Sequence, residues 1–200
     1  MAAESLSRCV AVLCTALLVA VGTVLYARVY AGMLVPVFEP LFPLLYDRLD
    51  VFTLELVQLK SEWGYRLIAD NTRPIVVGNH WLPAHLGLSS FTLLAHSLQH
   101  VLFYALVGAG GACYYRCSPW RLLALSVVML LLLEIVDIPF VLIASIEDLL
   151  LYNADPDSLD DSLWVKWLGF LTNGGRIGLS MIAAWCAVIA SRRVAVPQQV

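Results

Sequence analysis

Five ionisable side chains stand inside otherwise apolar stretches of the chain, where charge is costly. His96 and His100 are four residues apart, and Glu134 and Asp137 are three apart, so each pair shares one face of a helix. Arg176 stands in a third apolar stretch. A charge at the centre of a bilayer costs about 2.5–3.5 kcal/mol on insertion scales, and it is tolerated where it faces neighbouring helices and pairs. We therefore take these side chains as the candidate intramembrane polar cluster.

These residue types permit several kinds of chemistry. The simplest interpretation pairs Arg176 with Asp137 or Glu134, and a histidine with the other carboxylate, so that the network fixes helix packing. The same groups could form a proton relay or a recognition pocket. They could also bind a divalent metal, and two histidines on one helix face could ligate haem. Since no spacing fixes ligand distances, we predict no cofactor and no metal, and the only metal candidates are His96 and His100.

Four long apolar blocks must position the cluster. The chain is 60% hydrophobic and 14% charged, with a mean hydropathy of +0.82, which is more apolar than a soluble domain. About 20 apolar residues cross the ~30 Å hydrocarbon core of a bilayer. We predict an all-α membrane protein, a single integral domain over residues 1–200, with transmembrane helices at about 10–30, 86–112, 122–146 and 167–191.

The first block has an alternative interpretation as a cleaved signal peptide. Its amino-terminal region is short and carries Arg8. A signal peptide ends in small residues before the cleavage site, whereas Arg28, Val29 and Tyr30 follow this block directly. We therefore predict an uncleaved first helix.

Positive residues in short loops indicate the orientation. Arg8 precedes the first block, Arg116 and Arg121 border the short loop between the second and third blocks, and Arg192 and Arg193 follow the fourth. Cytoplasmic loops carry an excess of Lys and Arg. The loop between the third and fourth blocks is acidic instead, with Glu147, Asp148, Asp155, Asp157, Asp160 and Asp161. We predict a multi-pass protein of the bacterial inner membrane with both termini in the cytoplasm.

The predicted depths of the five side chains place the cluster in one layer of the bilayer. With about 1.5 Å of helical rise per residue, all five side chains lie about 20–25 Å above the cytoplasmic ends of their predicted helices. Pro139 would free a backbone carbonyl near Ile135 and kink the third helix. The glycines beside Arg176 would let the fourth helix approach its neighbours closely.

The cysteines agree with this orientation. Cys9, Cys14, Cys113, Cys117 and Cys186 all lie at or near predicted cytoplasmic ends, and the predicted outer segments contain none. Thiols on the reducing side, with no disulfide framework on the other, fit a cytoplasmic placement. A zinc site at the two central cysteines lacks a second ligand pair in the sequence.

An extracytoplasmic insert is predicted over about 35–83. Its first part, 36–44, carries three prolines among apolar residues and is typical of a broken amphipathic stretch at the membrane surface. Strand formers at 52–60, 65–69 and 74–77, separated by turns at 61–64 and 70–72, predict a small β-hairpin or meander. Such a piece is too small to fold alone, so we expect it to pack on the helices, the membrane surface or a partner.

Familiar catalytic motifs are missing from the chain. The sequence has no phosphate-binding loop, no dinucleotide-type glycine motif, no HExxH and no GxSxG. Ser89 and Ser90 have His85 nearby in sequence, but no motif supports them as nucleophiles. The net charge is −3 and there is no basic run, which excludes a nucleic-acid footprint. We predict no catalytic residue, and we lean against an enzyme.

The layout resembles exosortase H-associated membrane proteins, which are bacterial accessory proteins of about this size. The matching stretches are Phe38–Val77, His80–Pro83, the short arginine-bearing loop before Leu122, and Asn173–Arg176. The resemblance implies one amino-terminal helix, a short extracytoplasmic segment with a hairpin, and three further helices. Exosortases look like multi-helix transpeptidases that use Cys, Arg and His near the outer face. This chain has no outer cysteine, so the resemblance implies a partner of such an enzyme.

Two hypotheses follow. The first is a non-enzymatic accessory subunit of a bacterial membrane assembly, and the resemblance suggests exosortase-type protein sorting as its setting. Its partners would be the lipid bilayer and another integral membrane protein. The alternative is a membrane enzyme or a proton- or metal-coupled component that uses the polar cluster.

Overall fold

The computed structural model describes residues 2–115 and 117–192. The chain is mostly helical and contains a small sheet. The helices are α1 (Ala2–Leu25), α2 (Ala27–Phe38), α3 (Phe42–Leu45), α4 (Leu94–Tyr114), α5 (Pro119–Ala154), α6 (Leu163–Phe170) and α7 (Arg176–Ala190). The strands are β1 (Val51–Leu59), β2 (Glu62–Asp70), β3 (Ile75–Val77), β4 (His80–Leu82) and β5 (Leu88–Leu93). Two 3-10 turns cover Glu39–Leu41 and Pro156–Asp161, and a π-helical turn covers Leu171–Gly175.

Three helical stretches are long and apolar enough to cross a membrane: Ala27–Leu45, Pro119–Ala154 and Leu163–Ala190. A shorter apolar stretch occupies Val10–Leu25. The second and third of these stretches contain the predicted spans 122–146 and, to within a residue, 167–191. The prediction of a mostly helical protein that contains helices long and apolar enough to cross a membrane is therefore confirmed, and the number of four crossings stays a prediction. Arg116 and Arg193, which entered the orientation argument, lie outside the described residues.

The amino-terminal region is more helical than predicted. Helical structure runs from Ala2 to Leu45, and the first interruption is at Tyr26, whose φ of −103° and ψ of 20° depart from helical values. The predicted broken stretch 36–44 is a series of short helical pieces. Pro40 and Pro43 open two of them, where a missing N–H costs little. The extracytoplasmic insert predicted from residue 35 therefore begins inside a helix.

The main sheet has three antiparallel strands in the order β1-β2-β5, and β3 and β4 form a separate hairpin. Of the hairpin or meander predicted over 52–77, the first two strands do pair as an antiparallel hairpin. The continuation into a meander is wrong, because β3 pairs with β4, and the third strand of the main sheet is β5. Leu88–Leu93 had been assigned to the second transmembrane span, which in the structure begins as a helix only at Leu94. The apolar residues of this strand lead straight into those of α4, so hydropathy alone does not separate them.

The chain divides into two compact units. The helical unit comprises Met1–Leu25, Gln99–Leu133 and Ile177–Val200, and the sheet-bearing unit comprises Tyr26–Leu98 and Glu134–Arg176. The core of the helical unit is built from Tyr104, Leu133, Ala183, Ala184 and Ala187. Small residues on α7 let its neighbours pack closely there.

The sheet-bearing unit has the larger core. One face of α5, with Ile138 and Leu142 fully buried, packs with α2 and the inner face of the main sheet. The rings of Phe38 and Tyr65 meet edge to face at 5.9 Å between centroids. Burial of each such side chain contributes about 1.5–3 kcal/mol, so the predicted insert is stabilised by the helices on which it lies. This packing holds the polar side chains described below.

Candidate functional site

Arg176 and Asp137 form a buried ion pair in the sheet-bearing unit. The Nε atom of Arg176 donates to both carboxylate oxygens of Asp137, at 3.0 and 2.8 Å. The side chains are 6% and 1% exposed. This is one of the two pairings that the sequence predicted. Because breaking a buried ion pair leaves a charge without compensation, the pair ties the start of α7 to the middle of α5.

A break in the last helical stretch sets the position of Arg176. Asn173 and Gly174 leave the helical region just before α7, and Gly174 has a φ of +100°, which favours glycine. A side chain at Gly175 would collide with the backbone carbonyl and the ring of Phe170. Two glycines therefore allow the turn that brings Arg176 to Asp137.

Pro139 lies inside α5, which continues through it from Pro119 to Ala154. Proline removes one backbone donor and strains the helical ladder of the preceding turn. The carbonyl that loses its helical donor is that of Ile135. On the next carbonyl, that of Val136, Nε1 of Trp167 donates a hydrogen bond at 3.3 Å and so joins α6 to α5.

Glu134 is fully buried and accepts hydrogen bonds from two hydroxyl groups. The Tyr30 hydroxyl of α2 donates to Oε1 at 2.8 Å, and the Ser97 hydroxyl of α4 donates to Oε2 at 2.5 Å. Hydrogen bonds to a charged group contribute about 1.5–3 kcal/mol each. Glu134 consequently joins α5 to two other helices.

Tyr65 of β2 adds a third hydroxyl to this region. Its ring is fully buried, and burial, followed by the negative charge of Glu134, raises its pKa above the usual value for tyrosine. The Tyr65 hydroxyl oxygen is buried and has no hydrogen-bond partner within the described residues. Tyr65 therefore remains a neutral hydroxyl beside the carboxylate.

The two cluster histidines have different surroundings. The Nδ1 atom of His96 lies 3.1 Å from the Thr92 hydroxyl in the sheet-bearing unit. His100 belongs to the helical unit, where its Nδ1 lies 2.7 Å from the Ser180 hydroxyl and its side chain is fully buried. In both contacts the donor depends on which ring nitrogen carries the proton.

Across the described ranges, 2–115 and 117–192, no three His, Cys, Asp or Glu side chains are grouped so as to hold a metal ion. Of the remaining histidines, His85 is 73% exposed and its Nδ1 lies 3.2 Å from Asp70. That contact is the main cause of a lowered pKa of Asp70. The common depth predicted for the cluster stays a prediction.

A second polar network was not predicted. Glu147 of α5 accepts a short hydrogen bond from the Tyr46 hydroxyl, and the Nη1 atom of Arg48 lies 2.9 Å from both of its oxygens. Arg48 is 41% exposed and Glu147 only 5%. Burial and the bond to Glu147 raise the pKa of Tyr46 above its usual value. The network fastens the segment after α3 to α5.

Two hydroxyl-bearing partners of Glu134 escaped the sequence analysis, Tyr30 and Ser97. Tyr30 is 104 residues from Glu134, and Ser97 is 37 residues from it. The sequence shows that a glutamate in an apolar helix requires donors, but it does not indicate which of the many hydroxyl groups supply them.

Comparison with known proteins gives no match: no family model, no curated protein and no solved structure is similar to this chain. Its function is therefore inferred from its own residues.

Proposed function

We propose that this protein is a non-enzymatic accessory subunit of a bacterial membrane assembly, with exosortase-type protein sorting as the proposed setting. The observation that carries the proposal is that the buried charged side chains bind side chains of neighbouring helices. Arg176 is bound to Asp137, and Glu134 is bound to Tyr30 and Ser97, so both carboxylates join different helices to each other.

Such bonds favour a packing role. A buried polar network that is well satisfied rigidifies a core and specifies one arrangement of its elements. A reacting group, by contrast, needs a place for a substrate beside it. Glu134 and Asp137 are 0% and 1% exposed and are enclosed by protein side chains. The proposed subunit is thus a rigid scaffold that presents its sheet-bearing unit to a partner.

The proposed topology has both termini in the cytoplasm and four membrane crossings, in α1, α4, α5 and the α6–α7 stretch. Ala27–Leu45 is also long and apolar enough to cross, but it packs with the main sheet and is assigned to the outer segment in this proposal. The 21 residues of α4 extend about 32 Å, which is enough to cross ~30 Å of hydrocarbon. Apolar residues Val10–Leu25 support a further crossing in α1. In this arrangement the small sheet lies outside the cytoplasm.

The test is purification in a gentle detergent, followed by mass spectrometry of everything that remains bound and by metal and optical analysis of the same sample. A stoichiometric integral membrane partner without metal or haem is the expected result. A lone protein with stoichiometric metal or a haem spectrum would contradict the proposal and would make His96 and His100 the first residues to substitute.

A second candidate function is a proton-coupled component. It is favoured by the buried carboxylate of Glu134, which accepts hydrogen bonds from the hydroxyls of Tyr30 and Ser97, because carboxylates and hydroxyls can pass protons along a buried chain. Glu134→Gln keeps the shape and removes the proton site, and Glu62→Gln on the exposed surface is the control. Loss of the cellular phenotype in the first variant alone, with the fold intact, would favour this candidate. An unchanged phenotype in the folded Glu134→Gln and His96→Ala variants would eliminate it.

A further inference from the structure

Strand β1 forms an edge of the main sheet. Within the part of the chain that the structure describes, its strand pairing is with β2 alone, through an unbroken register from Val51–Asp70 to Leu59–Glu62. The strand has nine residues and contains neither proline nor lysine. Edge strands are commonly protected by proline, lysine, a bulge, extreme shortness or a covering helix or loop. β1 has none of the first four devices; the helical pieces of Ala27–Leu45 contact the strand, but among the described residues they form no backbone hydrogen bond with Phe52, Leu54, Leu56 or Gln58.

The hairpin turn determines which backbone groups point outward. Lys60 and Ser61 form a two-residue turn, in which Lys60 has a φ of +58°. In such a hairpin the flanking pair, here Leu59 and Glu62, exchanges both backbone hydrogen bonds. Alternation along the strand then directs the backbone groups of the even-numbered residues away from β2. These residues are Phe52, Leu54, Leu56 and Gln58.

The side chains along this edge suit a polypeptide partner. Val51 and Leu59, at the two ends of the strand, are 47% and 54% exposed, and Thr53 and Gln58 are exposed as well. Glu55 carries the only charge on the strand, and its Oε2 lies 2.7 Å from Nη2 of Arg66 on β2. A row of unpaired backbone groups between exposed apolar side chains is the surface to which an extended segment adds as a further strand.

We propose that the free edge of β1 binds an extended segment of the partner protein by β-strand addition. This inference rests on the proposed accessory function and names the surface through which it would act. Backbone hydrogen bonds from the even-numbered residues would supply affinity, and the exposed side chains would select the bound sequence.

A second copy of this chain is a poorer occupant of the edge. Antiparallel pairing of β1 with itself over its full length would place Glu55 opposite Glu55 of the other copy, because Glu55 is the central residue of Val51–Leu59. Like charges directly opposite each other destabilise a strand pair. Charge complementarity therefore favours a foreign segment with a basic or uncharged residue at that position.

The other edge of the sheet is less suitable. Strand β5 has six residues and continues directly into α4 at Leu94, and its Ser90 and Thr92 are buried. A bound segment there would have less length to pair with.

Gln58 permits a matched test in the full-length protein. Gln58→Pro removes one outward N–H and inserts a ring at the free edge, and it leaves the bonds of β1 to β2 in place because proline is accepted where the N–H faces away from the sheet. Gln58→Ala changes the same side chain and keeps the N–H. A photo-crosslinking amino acid at exposed Thr53 reports on the neighbouring polypeptide in living cells.

The expected result is an adduct with a second protein in the parent and in Gln58→Ala, reduced about tenfold or more in Gln58→Pro. Thermal unfolding confirms the fold of each variant. If Gln58→Pro proves unfolded, hydrogen exchange of the β1 amides in the parent protein is measured in membranes and again after its partners have been removed. We expect these amides to be protected only in the sample that retains the partner.

Three outcomes would overturn the proposal. These are an adduct unaffected by Gln58→Pro, an adduct between two copies of the chain, and no adduct at Thr53. The accessory function is judged separately: a partner that still co-purifies with folded Gln58→Pro shows that docking occurs elsewhere, whereas no co-purifying partner for the parent protein contradicts the accessory function itself.

Discussion

At the scale of single residues, the Arg176–Asp137 pair carries the clearest energetic consequence. Removal of one partner leaves a buried charge, which typically costs about 3–5 kcal/mol. We expect Arg176→Ala and Asp137→Ala each to lower the free energy of unfolding by that amount, as measured by denaturant titration in detergent. Exchange of the two residues, Asp137→Arg with Arg176→Asp, should recover part of the loss.

The exposed pair Arg66–Glu55 is the matched control, since its side chains are 43% and 40% exposed. Ion pairs in contact with water contribute about 0–1 kcal/mol, so Arg66→Ala should have a small effect. Equal losses at Arg66 and Arg176 would show that burial does not determine the contribution of these pairs.

The sequence permitted part of this site to be predicted. The cost of charge inside an apolar helix required a partner for Asp137 and for Glu134, and Arg176 was the available cation in another apolar stretch. The choice between the two carboxylates was left open by the sequence. No comparable rule selects Tyr30 or Ser97 as partners of Glu134, because hydroxyl groups are common in such stretches and their positions depend on how the helices pack.

At the scale of elements, the break before α7 depends on Gly174. A residue with a side chain at φ of +100° is strained by about 1–3 kcal/mol. Gly174→Ala should therefore lower the free energy of unfolding by about that amount and displace the start of α7.

Gly178 is the control for this change. It lies within α7, and a methyl group there would meet no neighbouring atom within 4 Å. Alanine favours a helix over glycine by about 1 kcal/mol, so Gly178→Ala should leave stability unchanged or raise it. Denaturant titration of both variants separates the conformational requirement from a general effect of glycine replacement. Equal changes in the free energy of unfolding for Gly174→Ala and Gly178→Ala would contradict the requirement for glycine at position 174.

The turn after β2 should be sensitive to acid. The side chain and backbone of Thr72 donate to Asp50 at 2.6 and 3.1 Å and lower the pKa of Asp50, while His85 is the main cause of the lowered pKa of Asp70. A lowered aspartate pKa gives stability that is fully present above the unfolded value of 3.8 and is lost as the pH falls through the folded value.

We therefore expect amide exchange at Thr72, compared with the exchange of an unstructured peptide at each pH, to accelerate when the pH falls below 3.8. In Asp50→Asn the pH dependence should become smaller, because the carboxylate at that position is gone. If Asp50→Asn has the same pH dependence of amide exchange at Thr72 as the parent protein, the acid sensitivity comes from another group.

The elements themselves were predictable to different degrees. Hydropathy located α5 and the α6–α7 stretch, and strand formers located β1 and β2. Hydropathy did not separate β5 from the helix after it, because Leu88–Leu93 runs into the apolar start of α4. The alternation of this strand, with Ser90 and Thr92 buried and Ser89 exposed, reflects pairing with β2 and is not expressed in hydropathy.

At the scale of the whole molecule, the proposed topology predicts which positions are reached from outside the cell. In a cysteine-free background, Asn79→Cys at the exposed tip of the β3–β4 hairpin should react with a membrane-impermeant maleimide in intact cells. Exposed Trp120→Cys, in the first turn of α5, should react only after permeabilisation. The opposite pattern would reverse the orientation.

The Arg176–Asp137 pair also has a consequence for biosynthesis. Its members are 39 residues apart, so the ribosome completes α5 well before Arg176 exists. In a nascent chain Asp137 therefore lies in an apolar helix without its cationic partner until α7 has been synthesised. A chain truncated after Ser162 should be degraded rapidly by membrane quality control in a pulse–chase experiment, and Asp137→Leu in that truncated chain should prolong its lifetime.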